Sequence, residues 1–213
     1  MDNPAPTNVP IHDLIRRRWS PRAFADRSVA TVDLVGLLEA ARWAPSSSNE
    51  QPWRFLIARR EEPELLARLL ACLVPGNQRW AGSAPVLMLT ATRRAWVRNE
   101  KPNRHAMHDA GLALENLLIE ATARGLVAHP MAGFDVEAAR LAFAIPAEFD
   151  PVAAVAIGYM GDPELLPDDL RAREIAPRTR RPLAESVFGS TWGESVTWLE
   201  DAIRNVALPG SSR

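Results

Sequence analysis

The stretch Leu37-Leu38-Glu39-Ala40-Ala41-Arg42-Trp43-Ala44-Pro45-Ser46-Ser47-Ser48-Asn49-Glu50-Gln51-Pro52-Trp53-Arg54-Phe55 changes its periodicity halfway along, and that change decides the fold class. On its N-terminal side Leu34, Leu37, Leu38 and Ala41 recur at helical spacing, while Asp33, Glu39 and Arg42 fall on the other face. That pattern predicts an amphipathic helix with Thr31 as its N-cap. Pro45 ends the helix, because the residue before a proline is pushed out of the helical region. On the C-terminal side residues 53–58, Trp-Arg-Phe-Leu-Ile-Ala, read as a strand. Between the two, Pro45 and Pro52 restrict a loop rich in hydroxyls and amides. Such a loop suits a polar, planar ligand better than it suits a flexible linker.

Working outward, residues 11–17 predict a short first helix, preceded by a polar, Pro-bearing leader over 1–10. Pro63 stands where the first turn of a helix tolerates proline, and an apolar run follows it to Leu73. Residues 85–92 form a short, almost wholly apolar run, as expected of a strand covered on both faces. The strongest helix is 105–124, with Ala110, Leu114, Leu117, Leu118 and Ala121 as its stripe and Gly125 as its C′ residue. Ala113 and Ile119 widen the apolar arc, which predicts burial from more than one side, by a sheet and by a partner subunit. A strand at 126–129, a helix at 135–143 and a buried strand at 151–159 follow. Ser195 then caps a last helix containing Trp198, Leu199 and Ile203. The expectation is an α+β fold, a central mixed or antiparallel sheet flanked by helices. It occupies one domain over 11–208, with a flexible tail at 209–213.

The chain has 213 residues, with 25 Lys+Arg against 26 Asp+Glu and a formal net charge of −1. The apolar share of 47% excludes a disordered polymer or a collagen-like chain. The near-zero charge argues against a nucleic-acid binder, which needs surplus cations to neutralise phosphates. No run reaches the ~20 apolar residues of a membrane helix. The one Cys, Cys72, excludes a disulfide framework and a Cys-based zinc site, so a reducing cytoplasm is the default. The cations are 24 Arg and one Lys, Lys101.

Ordinary catalytic signatures are missing: there is no dinucleotide-binding Gly loop, no phosphate-cradling loop with Lys and no Gly-x-Ser-x-Gly elbow. His105, His108 and Asp109 share a helix, but nothing at suitable spacing completes a metal site. Cys72 lies in an apolar run that suits an inert core thiol. Three stretches stand out instead. Residues 16–24 hold Arg16, Arg17, Arg18 and Arg22 around Trp19 and Ser20; residues 44–53 form the polar loop; residues 176–183 hold Arg178, Arg180 and Arg181 between prolines. Arginine's forked donors suit phosphate oxygens. Two such clusters suit one phosphate if the fold joins them.

These residues reach a family. Arg18-Trp19-Ser20-x-Arg22-x-Phe24, then 37–55 with its Pro-Ser-Ser-Ser-Asn-x-Gln-Pro-Trp core, closely resemble the start of the nitroreductase family of flavin enzymes. The resemblance continues through Gly76-Asn77-Gln78-Arg79-Trp80, Asp109-x-Gly111-x-Ala113, Gly133-Phe134-Asp135, Ile157-Gly158-Tyr159-x-Gly161 and Pro177-Arg178-x-Arg180-Arg181-Pro182-Leu183. It covers nearly the whole chain.

The resemblance implies an intertwined homodimer of α+β fold with FMN at the subunit interface. Arg18 and Arg22, with Ser20, match residues that hold the FMN phosphate, ribityl chain or polar ring edge, while Trp19 departs from the small or polar residue of many relatives and is a cofactor-binding candidate through its backbone. Arg178 and Arg180 match a basic pair that closes on the phosphate. Pro45, Ser46, Ser47 and Asn49 match a loop supplied by the other subunit. Asn77 matches an amide at the pyrimidine end of the flavin. Pro130, Met131, Ala132 and Gly133 match a strand end whose N–H groups reach the ring. Trp80 stands where some relatives carry Lys, with Arg79 a weak substitute. The implied reaction is a ping-pong transfer of hydride from NAD(P)H through FMN to an electron-poor small molecule, a nitroaromatic or a quinone. The flavin carries the chemistry, so no side chain is singled out as catalytic and no metal is expected. Alternatives are a specialised relative acting on aldehydes such as malonic semialdehyde, a dehalogenase, a flavin-fragmenting enzyme or a non-catalytic FMN binder. Trp96 and Arg98, between the second strand and the long helix, read equally as a lid or as part of a solvated loop. Trp192 and Trp198 add apolar surface that a dimer would cover.

Overall fold

In a computed structural model, which describes residues 3–206, the helices in chain order are α1 (Asp13–Arg17), α2 (Thr31–Arg42), α3 (Pro63–Ala71), α4 (Pro75–Ala81), α5 (Ala106–Ala123), α6 (Val136–Ala142), α7 (Asp168–Glu174) and α8 (Thr197–Asn205). The strands are β1 (Trp53–Arg59), β2 (Val86–Arg93), β3 (Val127–Met131) and β4 (Phe149–Gly158). They form one sheet of order β1-β2-β4-β3, antiparallel at every pair. The expected tail at 209–213 lies outside the described residues. Those residues group into two compact units: Trp19–Ile175, and the chain before residue 19 together with the chain after residue 175.

In the first unit the sheet divides two cores. Successive side chains of a strand point to opposite faces. Val86 and Met88 of β2 accordingly join Val155 and Ile157 of β4 in a cluster completed by Leu34 and Leu37 of α2 and Ala113 and Leu117 of α5. Leu87 and Leu89, with Ala154 and Ala156, face Leu69 of α3, Trp80 of α4, Ala139 of α6 and Leu170 of α7. The all-apolar run of β2 is therefore covered on both sides, as its sequence predicts. Small residues on α5, Ala110, Ala113 and Ala121, let α2 and the sheet approach it closely. Gly125 takes a φ of 71° just past the end of α5, the left-handed turn that glycine adopts without strain.

Two caps fall elsewhere than expected. Ala30 occupies the N-cap position of α2, and Thr31 is already helical; its Oγ1 accepts from the Arg59 guanidinium at 3.0 Å. In the second unit, Ser195 Oγ donates to Ala184 O at 2.9 Å, and α8 starts at Thr197 behind Val196. The stretch 1–10, expected as a free leader, is tied at residue 5, whose N–H donates to Arg16 O at 2.8 Å. The second unit also contains a turn at Leu183–Glu185 and an isolated bridge between Phe188 and Ser195.

Candidate functional site

The polar loop after α2 is built under strain. Ser48, Asn49 and Gln51 have φ values of 52°, 55° and 51°, a left-handed region that costs non-glycine residues about 1–3 kcal/mol each. Ser46 Oγ accepts from Gln51 N–H at 3.0 Å, closing the loop on itself while its own hydrogen stays free to donate. Gln51 Nε2 donates to Asn49 O and Oδ1, both at 3.1 Å. From outside, Asp109 Oδ2 accepts from Ser47 N–H at 2.9 Å, and the Glu50 carboxylate accepts from Val97 N–H. Asp109 is 2% exposed in the first turn of α5, and its Oδ1 lies 3.0 Å from His108 Nδ1. Buried Pro52 and Trp53 anchor the far end. The hydroxyls of Ser47 and Ser48 have no partner among the described residues.

The segment carrying Trp19, Ser20 and Arg22 is fixed from three sides. Glu174, the last residue of α7 and wholly buried, accepts from Arg22 N–H at 2.7 Å and Ala23 N–H at 3.1 Å. Its second oxygen lies 3.7 Å from the Arg22 guanidinium. Ala25 N–H donates to Tyr159 O and Gly161 N–H to Ala23 O, both at 2.9 Å, around the bridge of Phe24 with Met160. His129 Nδ1 lies 2.9 Å from Pro21 O; since a carbonyl only accepts, this nitrogen carries the hydrogen. Burial pushes the His129 pKa down to about 4, keeping the ring neutral at physiological pH.

Asn77 and Gly133 meet where α4 passes the end of β3. Asn77 Nδ2 donates to Gly133 O at 2.9 Å, and Val74 N–H donates to the same oxygen at 3.1 Å. A Cβ at Gly133 would fall 2.7 Å from Asn77 Nδ2 and 2.9 Å from Val74 Cγ2, so no larger residue sits there without displacing them. The amide oxygen of Asn77 and the N–H groups of Ala132 and Gly133 have no partner among the described residues. Pro130 and Met131 complete β3, paired with Val155 and Ala154 of β4. Trp80, 3% exposed, lies between the Phe24 and His129 rings and carries no charge. Arg79 does not replace the missing cation, since Asp169 already binds it through two hydrogen bonds of 2.9 and 2.7 Å.

Within the second unit the C-terminal cluster reaches the N-terminal arginines Arg16 and Arg18 through Arg178. The Arg178 guanidinium donates to Asn3 O at 2.8 Å, Arg16 O at 3.3 Å and Arg18 O at 2.9 Å. Its pKa is lowered, first by burial and then by the charges of Arg18 and Arg180. Among the described residues no carboxylate pairs with Arg178 or Arg180, whereas Arg16 and Arg17 both pair with Asp13. This is a like-charge group that an anion would stabilise. Arg178 spends its donors on backbone carbonyls, so it holds the Arg16–Arg18 backbone as well as supplying charge.

Glu174 and His129 escape a reading of the sequence. One is an acid among arginines, the other a lone His in a strand, and each acts on backbone that is distant in sequence. Asp109 was legible only as part of a motif. Cys72 is buried, donates to Arg68 O, and has its pKa raised mainly by burial, which keeps it an unreactive thiol.

The sequence model of the nitroreductase family matches residues 15–159. A crystal structure of an oxidoreductase containing FMN superposes with a TM-score of 0.85 at 36% identity, covering 92% of this chain and 99% of that one. A Desulfovibrio desulfuricans protein, provisionally named a nitroreductase and solved in complex with FMN, gives 0.66 at 28% identity over 84% of this chain and 95% of its own. A Streptomyces coelicolor protein, provisionally named an NADH dehydrogenase/NAD(P)H nitroreductase, is 31% identical over 160 residues, 66% of this chain and 78% of its own.

Proposed function

The chain belongs to the nitroreductase family, and on that premise we propose that it is an NAD(P)H-dependent flavin oxidoreductase working with FMN. The observation that carries the reading is the cradle at Asn77 and Gly133. An amide acceptor and two adjacent N–H donors stay open there beside a glycine whose Cβ position is blocked. A flavin ring edge offers the complementary donors and acceptors. Within the second unit, the like-charge group around Arg178 suits an anion such as a phosphate. The donor set therefore fits the cofactor.

When bound, FMN supplies the redox chemistry, taking reducing equivalents from NAD(P)H and passing them to an electron-poor acceptor such as a nitroaromatic or a quinone. The chain's own residues bind and tune. Arg18, Arg178 and Arg180 supply positive charge suited to a phosphate. In the first unit, Arg22 and Ser20 offer donors on a segment held in place by Glu174 and His129. Pro45, Ser46, Ser47 and Asn49 offer a stiff polar edge that loses little freedom on binding, because the loop is already ordered. The N–H groups of Ala132 and Gly133 favour negative charge beside them. No described side chain is assigned as a proton donor.

We further infer a homodimer. Trp192 is 90% exposed and Trp198 62% exposed, and Met107 on α5 is exposed as well. A partner subunit would cover such groups.

The test is direct. Purified protein should take up FMN, read by quenching of flavin fluorescence, and then oxidise NADH or NADPH steadily with menadione or nitrofurazone. FMN uptake without turnover would make it a flavin-binding protein, and no uptake would refute the proposal.

A further inference from the structure

Between β2 and α5 the chain forms a hairpin that the fold ties to the strained loop. Asn103 N–H donates to Arg94 O at 2.7 Å, Trp96 N–H to Lys101 O at 2.9 Å, and Ala95 bridges Pro102. Glu100, with a φ of 57°, closes its turn. The tie is Glu50, whose carboxylate accepts from Val97 N–H. Glu50 lies between Asn49 and Gln51, two of the three residues of that loop held in the left-handed region. One hydrogen bond thus ties the hairpin to the Ser46–Gln51 loop.

Its charges are unequal. Arg93 is bound by both oxygens of Glu100 at 2.7 and 3.0 Å, and Arg94 by Asp150 at 2.7 Å. Arg98 has no carboxylate partner among the described residues. It lies instead over the Trp96 ring, 5.0 Å from the centroid. Trp96 and Arg98 flank Val97, so a ring and an uncompensated guanidinium stand one residue to either side of the docking bond. A guanidinium stacked on a tryptophan keeps its edge donors for a carboxylate, while the ring system offers a face for a flat partner.

We propose that this hairpin selects the electron acceptor, with Trp96 and Arg98 recognising a flat, electron-poor aromatic that carries an anionic group, as a nitrobenzoate does. Glu50 is the positioning residue that holds the pair beside the cofactor loop. The proposal rests on the flavin oxidoreductase reading above.

The experiment uses the FMN-loaded full chain with para-nitrobenzoate and its neutral relative para-nitrobenzamide as acceptors. For Arg98→Ala, the ratio of kcat/KM for nitrobenzoate to that for nitrobenzamide should fall about tenfold, through KM, the effect of losing one charge-assisted hydrogen bond. Arg98→Lys should recover part of it. Trp96→Ala should raise KM for both acceptors. Glu50→Ala should raise the nitrobenzoate KM and open the hairpin to trypsin after Arg98, while Glu50→Gln, which keeps an acceptor for Val97 N–H, should restore both. An unchanged acceptor ratio in Arg98→Ala overturns the proposal. So does an effect confined to the KM of NADPH over NADH, which would assign Arg98 to the nucleotide phosphate. Failure of NADH and NADPH alike to reduce the flavin would instead refute the oxidoreductase reading, and the trypsin comparison would still report whether Glu50 docks the hairpin.

Discussion

At His129 the fold holds an imidazole against the Trp80 ring, 4.5 Å between centroids, with Nδ1 2.9 Å from Pro21 O. Burial lowers its pKa from 6.5 to about 4, so the folded protein resists protonation over a range where the unfolded chain accepts it. The stabilisation is complete above the unfolded value. It is lost as pH falls from about 6.5 to about 4, by about 3 kcal/mol in all. Urea melts at neutral and acidic pH should show that decline, and His129→Gln should flatten it. Glu174 tests the same segment differently. Glu174→Ala leaves two backbone N–H groups without their acceptor and the Arg22 guanidinium without its ion-pair partner, which should cost about 3 kcal/mol and lower the Tm by about 6–12 °C. Gly133→Ala should displace the Asn77 amide and weaken FMN binding about tenfold, read by flavin fluorescence, with a smaller loss of stability. The direct ligand candidates were legible because they cluster in sequence. Their supports were not, because Glu174 meets Arg22, and His129 meets Pro21, only once the chain has folded.

Elements with a strong periodic signal or a long apolar run were readable along the chain. The stripe of α5 and the unbroken apolar run of β2 predicted both elements to within two residues, since each buries enough surface to override local preferences. The short helices α4 and α7 left no such trace. α4 opens with Pro75-Gly76, which reads as a turn, and α7 has one buried apolar residue, Leu170, among charges. Both are made helical by docking on the second core, and both carry residues of the candidate site, Asn77 on one and Glu174 on the other. Caps were less legible still. Thr31 and Ser195 have the right side chains, but a cap also needs a non-helical backbone at that residue, and tertiary partners took both hydroxyls. Asp135 is a true cap, accepting from Ala138 N–H at 2.9 Å at the start of α6. Asp135→Ala should therefore cost about 1 kcal/mol, a drop of about 2–4 °C in Tm by calorimetry.

Across the whole molecule the net charge of −1 conceals how the 24 arginines are used. Arg16, Arg17, Arg79, Arg93 and Arg94 are neutralised by carboxylates, while Arg178 stands close to Arg18 and Arg180 with its own pKa depressed. We propose the FMN phosphate as the anion that this group suits. Sedimentation of the FMN-loaded protein should give the mass of two chains; a monomer with flavin still bound would refute the dimer. The family and antiparallel sheet leave one claim to be measured above all, that this chain moves electrons from a nicotinamide through a bound flavin. The protein is loaded with FMN, freed of excess cofactor and titrated anaerobically with NADH and then NADPH while its visible flavin absorbance is followed. The account predicts bleaching by at least one nucleotide and return of the absorbance on adding menadione. A flavin that stays oxidised with both nucleotides would contradict it.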